Sequence, residues 1–218
     1  MNKYKEIFYL TIFLLFVVIL NFYKVYNGIN LFVGGDTLSP VAFRIGINEI
    51  VSSNLSYPLW FPWIFGGMPS IHSFINVSNH YLPHNIFLFF NNFGLPWVWN
   101  FLLHLIFCGV GMYLLLRYMK CSRYASLFSS SLFMICPYLV AMTSFGHGSQ
   151  VMTASYIPWI ILFLFKIYNK LKIFNLSIFS LLIGLQLQRA HIQIAYYTWM
   201  MIGLYILFMN YNFIKNKS

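Results

Sequence analysis

The residue best suited to acid–base chemistry is Asp36, the only aspartate among the 218 residues of the chain. It follows Gly34 and Gly35, which would allow the backbone to approach a ligand closely. One interpretation makes Asp36 a general base or a cation-orienting carboxylate. The other makes it a helix N-cap or an Asx-turn, which an aspartate after two glycines also favours. Because Ser39-Pro40 supplies a better helix start nearby, we favour the catalytic interpretation.

Arg189 and His147 are the residues best suited to binding an anion, since each lies in a short polar segment between apolar runs. A guanidinium fits a phosphate well. Arg189 could equally contact a lipid headgroup or form an ion pair with Glu49 or Asp36. His147 could bind a phosphate or a sugar, or simply serve a polar turn, and His191 is open to the same two interpretations. Further candidate ligand contacts are Arg44, Gln150, Gln193 and Trp60.

Metal and hydrolase chemistry have little support in the sequence. His80 and His84 are four residues apart, but Pro83 interrupts the helix that such a metal-binding pair needs, and no acidic residue lies between them. The chain has no Gly-x-Ser-x-Gly motif. We therefore expect no cofactor and no metal ligands, although a divalent metal shared with a donor phosphate remains open.

The composition places these residues in a membrane protein. Hydrophobic residues make up 60% of the chain and charged residues only 7%, against roughly 25% charged in soluble domains. The net charge of +10 is spread in small groups between apolar runs rather than gathered in one stripe. That spacing is typical of topology signals and argues against a nucleic-acid partner.

Six apolar stretches are long enough, or nearly so, for the ~20 residues of a membrane-spanning helix. They are residues 7–26, 97–116, 124–143, 151–166, 173–188 and 192–210. With both termini cytoplasmic, the outside retains three of the 13 basic residues, Lys24, Arg44 and Arg189, and the other ten lie inside. We therefore expect an all-α integral membrane domain over residues 1–218, with Asp36 on the extracytoplasmic side.

The first outer loop, residues 27–96, is long enough to need structure of its own. Ser39-Pro40 predicts the start of an interfacial helix that runs to about Ser52. Its apolar face would carry Phe43, Ile47 and Ile50, and its polar face Arg44, Asn48 and Ser52. A second interfacial helix is predicted over 83–93. Between them, residues 58–69 contain three prolines and a Gly-Gly pair, which exclude a regular helix or a central strand and favour a rigid turn at the headgroup level.

Several segments together resemble one family, the YfhO-type bacterial membrane proteins, in their N-terminal part. These proteins are similar to the GT-C class of glycosyltransferases. The segments are Gly35-Asp36 after the first span, Leu59-Trp60-x-Pro62-Trp63-Ile64-Phe65-Gly66-Gly67-Met68-Pro69, Gly146-His147-Gly148-Ser149-Gln150-x-Met152, Tyr156-Ile157-Pro158-Trp159 and Gln188-Arg189-Ala190-His191-x-Gln193.

The resemblance implies an enzyme of the bacterial plasma membrane that moves a sugar from a polyprenyl-phosphate carrier to an extracytoplasmic cell-envelope glycan or lipid. Its partners would be the lipid-linked sugar donor, that acceptor and membrane lipids. Asp36 matches an acidic residue that contributes to catalysis in the class, and Arg189 and His147 are candidates for steadying the departing phosphate. Members are generally longer, so we expect the N-terminal portion of a longer protein.

Two non-enzymatic interpretations remain beside this one. The chain could be a carrier or accessory module that binds lipid-linked glycans through the same outer basic groups, without chemistry. It could also be a structural membrane subunit whose outer loop docks a partner.

Overall fold

The computed structural model describes residues 3–28, 45–50, 52–53, 60–62, 66–69, 81–189 and 191–215. Within these ranges the chain is mostly helical, and five helical stretches are long and apolar enough to cross a membrane. This architecture is that of a multi-pass membrane protein, as predicted. The five stretches are Tyr4–Asn21, Trp99–Tyr118, Arg123–Ser144, Gly148–Asn169 and Ile192–Asn212.

The elements follow one another as a helical bundle with a small hairpin in the first loop. In chain order they are α1 (Lys3–Asn21), β1 (Trp60–Phe61), β2 (Met68–Pro69), α2 (Leu82–Asn92), α3 (Trp99–Tyr118), α4 (Arg123–Met134), α5 (Pro137–Ser144), α6 (Gly148–Ala154), α7 (Ile157–Asn169), α8 (Ile173–Gln188) and α9 (Ile192–Lys215). The predicted fifth span is α8, an apolar helix of 16 residues that is shorter than the five above.

Prolines divide two of the predicted spans into helix pairs. α4 ends before Pro137, which begins α5, and α6 is separated from α7 by a turn before Pro158. Proline lacks the amide hydrogen of the helical ladder and restricts the residue before it, so each break lies where the sequence puts the ring. The helices at the predicted span 151–166 extend beyond it at both ends, because α6 and α7 together cover Gly148–Asn169.

The first span also departs from its predicted limits of 7–26, because α1 ends at Asn21 and turns follow as far as Asn27. The apolar residues of these turns still pack inward, since Phe22 and Val25 are buried. The sequence placed the helix end too late because the apolar pattern continues through residues 22–26. Phe22 and Val25 are apolar because they are buried, and their burial does not require a helix.

The loop between α1 and α3 is described in parts, and residues 39–44 of its predicted first helix lie outside the described residues. Residues 45–50 and 52–53 are helical; Ile47 is buried and Ile50 half-buried, whereas Asn48 and Ser52 are exposed. Phe43 and Arg44 lie outside the described residues. The predicted second helix is α2, eleven residues with a proline in its first turn. The segment predicted as a rigid turn contains an antiparallel hairpin in which Trp60 pairs with Pro69 and Phe61 with Met68.

α3 lies at the centre of the bundle and packs on α1, α4 and α7. Leu102 and Leu105 on α3 are fully buried, as are Leu14 of α1 and Met134 of α4. Gly109 allows this close approach, since a Cβ there would lie 3.0 Å from Leu14 and 3.1 Å from the Met134 sulfur. α3 therefore packs on its neighbours through apolar side chains and, at Gly109, through a close approach of its backbone to their side chains.

One end of the bundle gathers the basic clusters. Glu6 of α1 lies 3.6 Å from Arg117 and 3.7 Å from Arg123, and the Tyr113 hydroxyl donates to its carboxylate at 2.5 Å. Tyr118 donates to the Phe165 carbonyl at 3.4 Å, which brings the end of α7 to the same place. We call this the basic end; it carries Lys5, Arg117, Lys120, Arg123, Lys166, Lys170, Lys172 and Lys215.

Candidate anion-binding site

Arg189 lies at the opposite end of the bundle, directly after α8. Three residues earlier, the fully buried Gln186 donates to the Thr153 carbonyl at 3.2 Å and to the Thr198 hydroxyl at 3.0 Å. These bonds tie α8 to α6 and α9, so the chain that carries Arg189 leaves the helix from a fixed position. Hydrogen bonds from one buried amide to two neighbouring helices in an apolar bundle are a strong positional constraint.

The Arg189 guanidinium lies over the ring of Tyr81, 5.2 Å from its centroid. Within the residues that the structure describes it has no acidic partner, and its Nε is buried without a hydrogen-bond acceptor. Burial lowers the pKa of Arg189, but a guanidinium stays protonated at neutral pH. The site therefore presents a positive charge that an aromatic face supports and that no carboxylate among these residues neutralises.

Tyr81 is held by two hydrogen bonds from other elements. It is fully buried as the N-cap residue of α2. Its hydroxyl lies 2.6 Å from His104 Nε2 and in hydrogen-bond contact with the Tyr156 hydroxyl. Burial raises the pKa of Tyr81, so the phenol is neutral under Arg189. The ring beneath the guanidinium is thus fixed by α3 and by the turn between α6 and α7.

The hydrogen-bond pattern assigns the donors in this network. His104 Nδ1 lies 2.6 Å from the Asn100 carbonyl, which can only accept, so Nδ1 carries the proton. His104 Nε2 therefore accepts from Tyr81, and the Tyr156 hydroxyl in turn donates to the Tyr81 oxygen. The result is a directed chain from Tyr156 through Tyr81 to a neutral His104, with no charge of its own.

The turns that contain His147 and His191 meet at the same end of the bundle as Arg189. Burial lowers the pKa of His191, and His147 nearby lowers it further. His191 Nδ1 accepts from the Ile194 amide at 3.4 Å, so its ring also caps the start of α9. Gln150 has its Oε1 buried without a partner among the described residues. His147, Gln150 and His191 thus contribute polar side chains to this end of the bundle.

The remaining predicted site residues are distributed differently. Asp36 and Arg44 lie outside the described residues. Trp60 is on the hairpin, and its indole packs so closely on Gly67 that a Cβ there would lie 2.6 Å from the ring. The contact described for Trp60 is therefore with its own loop. Gln193 donates to the Tyr197 hydroxyl at 2.9 Å on the exposed surface of α9.

Sequence reasoning gave no site role to Tyr81, whose ring lies under Arg189. It also gave none to the residues linked to that ring by hydrogen bonds, which are His104, Tyr156 and, through His104, Asn100. A signal for two of them was present, because Asn100 and His104 are polar residues four apart inside an apolar span. Such residues face the bundle interior and mark functional or structural sites. Tyr81, in the predicted loop 27–96, and Tyr156, within the predicted span 151–166, gave no comparable signal, since tyrosine in a membrane protein usually indicates only the interface.

No protein-family model, curated protein or solved structure matches the chain. The resemblance to the YfhO-type proteins therefore remains a prediction from the motifs. Over the ranges that the structure describes, no three His, Cys, Asp or Glu side chains form a group that could hold a metal ion. The described site comprises one guanidinium, an aromatic support and polar side chains.

Proposed function

We propose that this chain carries the donor-phosphate site of a membrane glycosyltransferase, which moves a sugar from a polyprenyl-phosphate carrier to an extracytoplasmic hydroxyl acceptor. The observation that carries the proposal is Arg189, whose guanidinium lies on Tyr81 with its Nε unpaired. A partly buried arginine that has no acidic partner among the described residues is costly unless an anion completes it, and phosphate matches its planar set of donors.

The chemistry requires one base and one cation. In the proposed step Asp36 takes the proton of the acceptor hydroxyl, whose oxygen attacks the anomeric carbon of the donor sugar. The bond between that carbon and the phosphate oxygen breaks, and the electron pair leaves with the polyprenyl phosphate. Arg189 stabilises the charge that this leaving group gains. Asp36 follows α1 in the chain, and the turns directly after α1 contact α3 at the Arg189 end, where Trp99 donates to the Tyr26 carbonyl at 2.8 Å.

The proposed orientation follows from the two ends of the bundle. Positive residues of short loops stay cytoplasmic, which would put the basic end inside and Arg189 outside. Both termini would then be cytoplasmic, and the site would open toward the extracytoplasmic leaflet. Lipid-linked donors present their phosphates at that level, where a cation at the end of a span can reach them.

Donor binding by Arg189 variants tests the proposal. We expect Arg189→Gln to weaken binding of a polyprenyl-phosphate hexose by about tenfold or more, since a charge-assisted hydrogen bond contributes about 1.5–3 kcal/mol. Arg189→Lys keeps the charge but loses the planar fork, so its affinity should lie between the two. The measurement is the Kd for a fluorescent donor with the full chain in nanodiscs.

Lys24→Gln is the matched control, because Lys24 is a cation near the end of α1 that the proposal gives no part in binding. Its Kd should equal that of the wild type. Free polyprenyl phosphate should compete with the donor, and uncharged polyprenol should not. Equal affinity of Arg189→Gln and the wild type for the donor would refute the phosphate site. Size-exclusion chromatography of both proteins confirms that each is folded.

A further inference from the structure

Beside the Tyr81 network lies a cavity of about 320 Å³ between α2, α3 and α8. This volume is at the lower end of the ~300–1,000 Å³ that small-molecule pockets span. The lining side chains are mainly apolar, with Asn100, His104 and Tyr156 as its polar members. The cavity lies in the half of the bundle nearest Arg189, since Asn100 is in the first turn of α3 and Leu185 is in the last turn of α8.

The cavity opens sideways on the bundle. Leu103 lines it and is 44% exposed, and Leu103 belongs to a helix long and apolar enough to span a membrane. In a bilayer that surface faces lipid rather than water. A ligand that enters here must come from the hydrocarbon region, and it must carry a largely apolar body to match the lining.

One polar group in the wall has an unused bonding capacity. Asn100 is only 5% exposed, its Nδ2 lies 3.1 Å from His84 Nδ1, and its Oδ1 has no hydrogen-bond partner among the described residues. His104 and Tyr156 are already engaged with Tyr81, so Asn100 Oδ1 is the acceptor left over. An orphaned buried acceptor in an apolar surrounding costs about 1–3 kcal/mol, which a ligand donor would offset.

We propose that this cavity binds the hydrocarbon chain of a bilayer-derived amphiphile, which enters past Leu103 and donates a hydroxyl or amide hydrogen to Asn100 Oδ1. The unpaired oxygen distinguishes this ligand from a plain hydrocarbon tail. A tail alone would fill the space and still leave the acceptor unsatisfied. The inference goes beyond the proposed sugar transfer and does not depend on it.

Photolabelling with two matched probes tests the proposal. One probe is a long-chain alcohol with a diazirine in the chain, and the other is its methyl ether, which has the same chain but no donor. With the full chain in phosphatidylcholine nanodiscs, we expect the alcohol to label the cavity residues at least about fivefold more than the ether. In Asn100→Leu the two probes should label to the same low extent.

A pair of tryptophan variants provides a test that does not alter Asn100. Leu185→Trp fills the cavity and should abolish labelling by the alcohol. Leu181→Trp places the same indole one turn earlier on α8, at an exposed leucine that does not line the cavity, and should leave labelling unchanged. Equal labelling of the wild-type cavity by the alcohol and the ether, or equal labelling of Leu185→Trp and Leu181→Trp, would overturn the proposal. The experiment uses no sugar donor, so its outcome is separate from that of the donor-binding test.

Discussion

At the residue scale the candidate site depends on Tyr81, because its ring supports Arg189 and its hydroxyl joins two other elements. The proton of His104 on Nδ1 leaves Nε2 as an acceptor that Tyr81 alone satisfies within the described ranges. Tyr156 donates to the Tyr81 oxygen, and the bond from Tyr81 to His104 does not depend on it. The Tyr156 hydrogen bond therefore contributes less to the free energy of unfolding. The two tyrosines are therefore unequal although their hydroxyls touch.

Removing each hydroxyl should reveal that inequality. We expect Tyr81→Phe to lower the free energy of unfolding by about 1–3 kcal/mol, because it leaves His104 Nε2 buried and unpaired. Tyr156→Phe should cost about 0.5–1.5 kcal/mol, the value of one neutral hydrogen bond whose loss leaves Tyr81 bonded to His104. Unfolding titrations of the purified protein measure both.

The control for these variants is Tyr138→Phe, which removes a hydroxyl from a tyrosine that is 51% exposed on α5. A surface change of this kind should lie within about 0.5 kcal/mol of the wild type. A larger loss in Tyr156→Phe than in Tyr81→Phe would show that the donor assignment runs in the other direction.

At the element scale α3 and α7 pack closely enough to require a glycine. A Cβ on Gly111 would overlap the Trp159 indole. That ring has little freedom to move, because its Nε1 donates to the Phe107 carbonyl at 2.8 Å and it stacks on the Phe107 ring at 5.0 Å. The α3–α7 contact thus fixes the helix that carries Asn100 and His104 relative to Tyr156.

Two glycine-to-alanine changes test this contact. Gly111→Ala should lower the free energy of unfolding by about 1–3 kcal/mol through overpacking against Trp159. Gly184→Ala on α8 adds the same methyl group where no atom of the described residues lies within 4 Å, and should stabilise the helix by about 0.5–1 kcal/mol. A neutral Gly111→Ala in the same unfolding assay would mean that α3 and α7 can separate without loss.

The sequence predicted the elements better than their contacts. Apolar runs located the helices, and Pro137 and Pro158 lie at the breaks, because period and proline chemistry are local properties. The placement of Arg189 on Tyr81 joins residues more than a hundred positions apart, which no local pattern encodes. Asn100 and His104 carried a local signal as polar neighbours within an apolar helix, but their partners did not.

At the scale of the whole molecule the charge is divided between the two ends. The structure brings the basic clusters together around Glu6 and the end of α7, and it places Arg189 at the other end. The sequence predicted this division from the positions of the basic residues alone, because topology signals act on loops and need no tertiary contact. Which end faces the cytoplasm is decided when the chain inserts into the membrane.

Cysteine labelling measures that orientation. In a background where Cys108, Cys121 and Cys136 are replaced by alanine, an impermeant maleimide applied to intact cells should label Ser73→Cys and spare Ser122→Cys. Ser122 begins α4 beside the Glu6 cluster, so it should become reactive only after the membrane is opened. The reverse labelling would place the basic end outside and exclude an extracytoplasmic site at Arg189.

The most direct test of sugar transfer is the release of polyprenyl phosphate from a radiolabelled donor by proteoliposomes that contain the full chain, with Asp36→Asn as the decisive variant. We predict that Asp36→Asn lowers the rate by about 100-fold or more, the usual contribution of a positioned general base, while its donor Kd stays at the wild-type value. Release by Asp36→Asn at the wild-type rate would contradict the catalytic role of Asp36. Donor binding without any release by the wild type would instead favour a carrier of lipid-linked glycans.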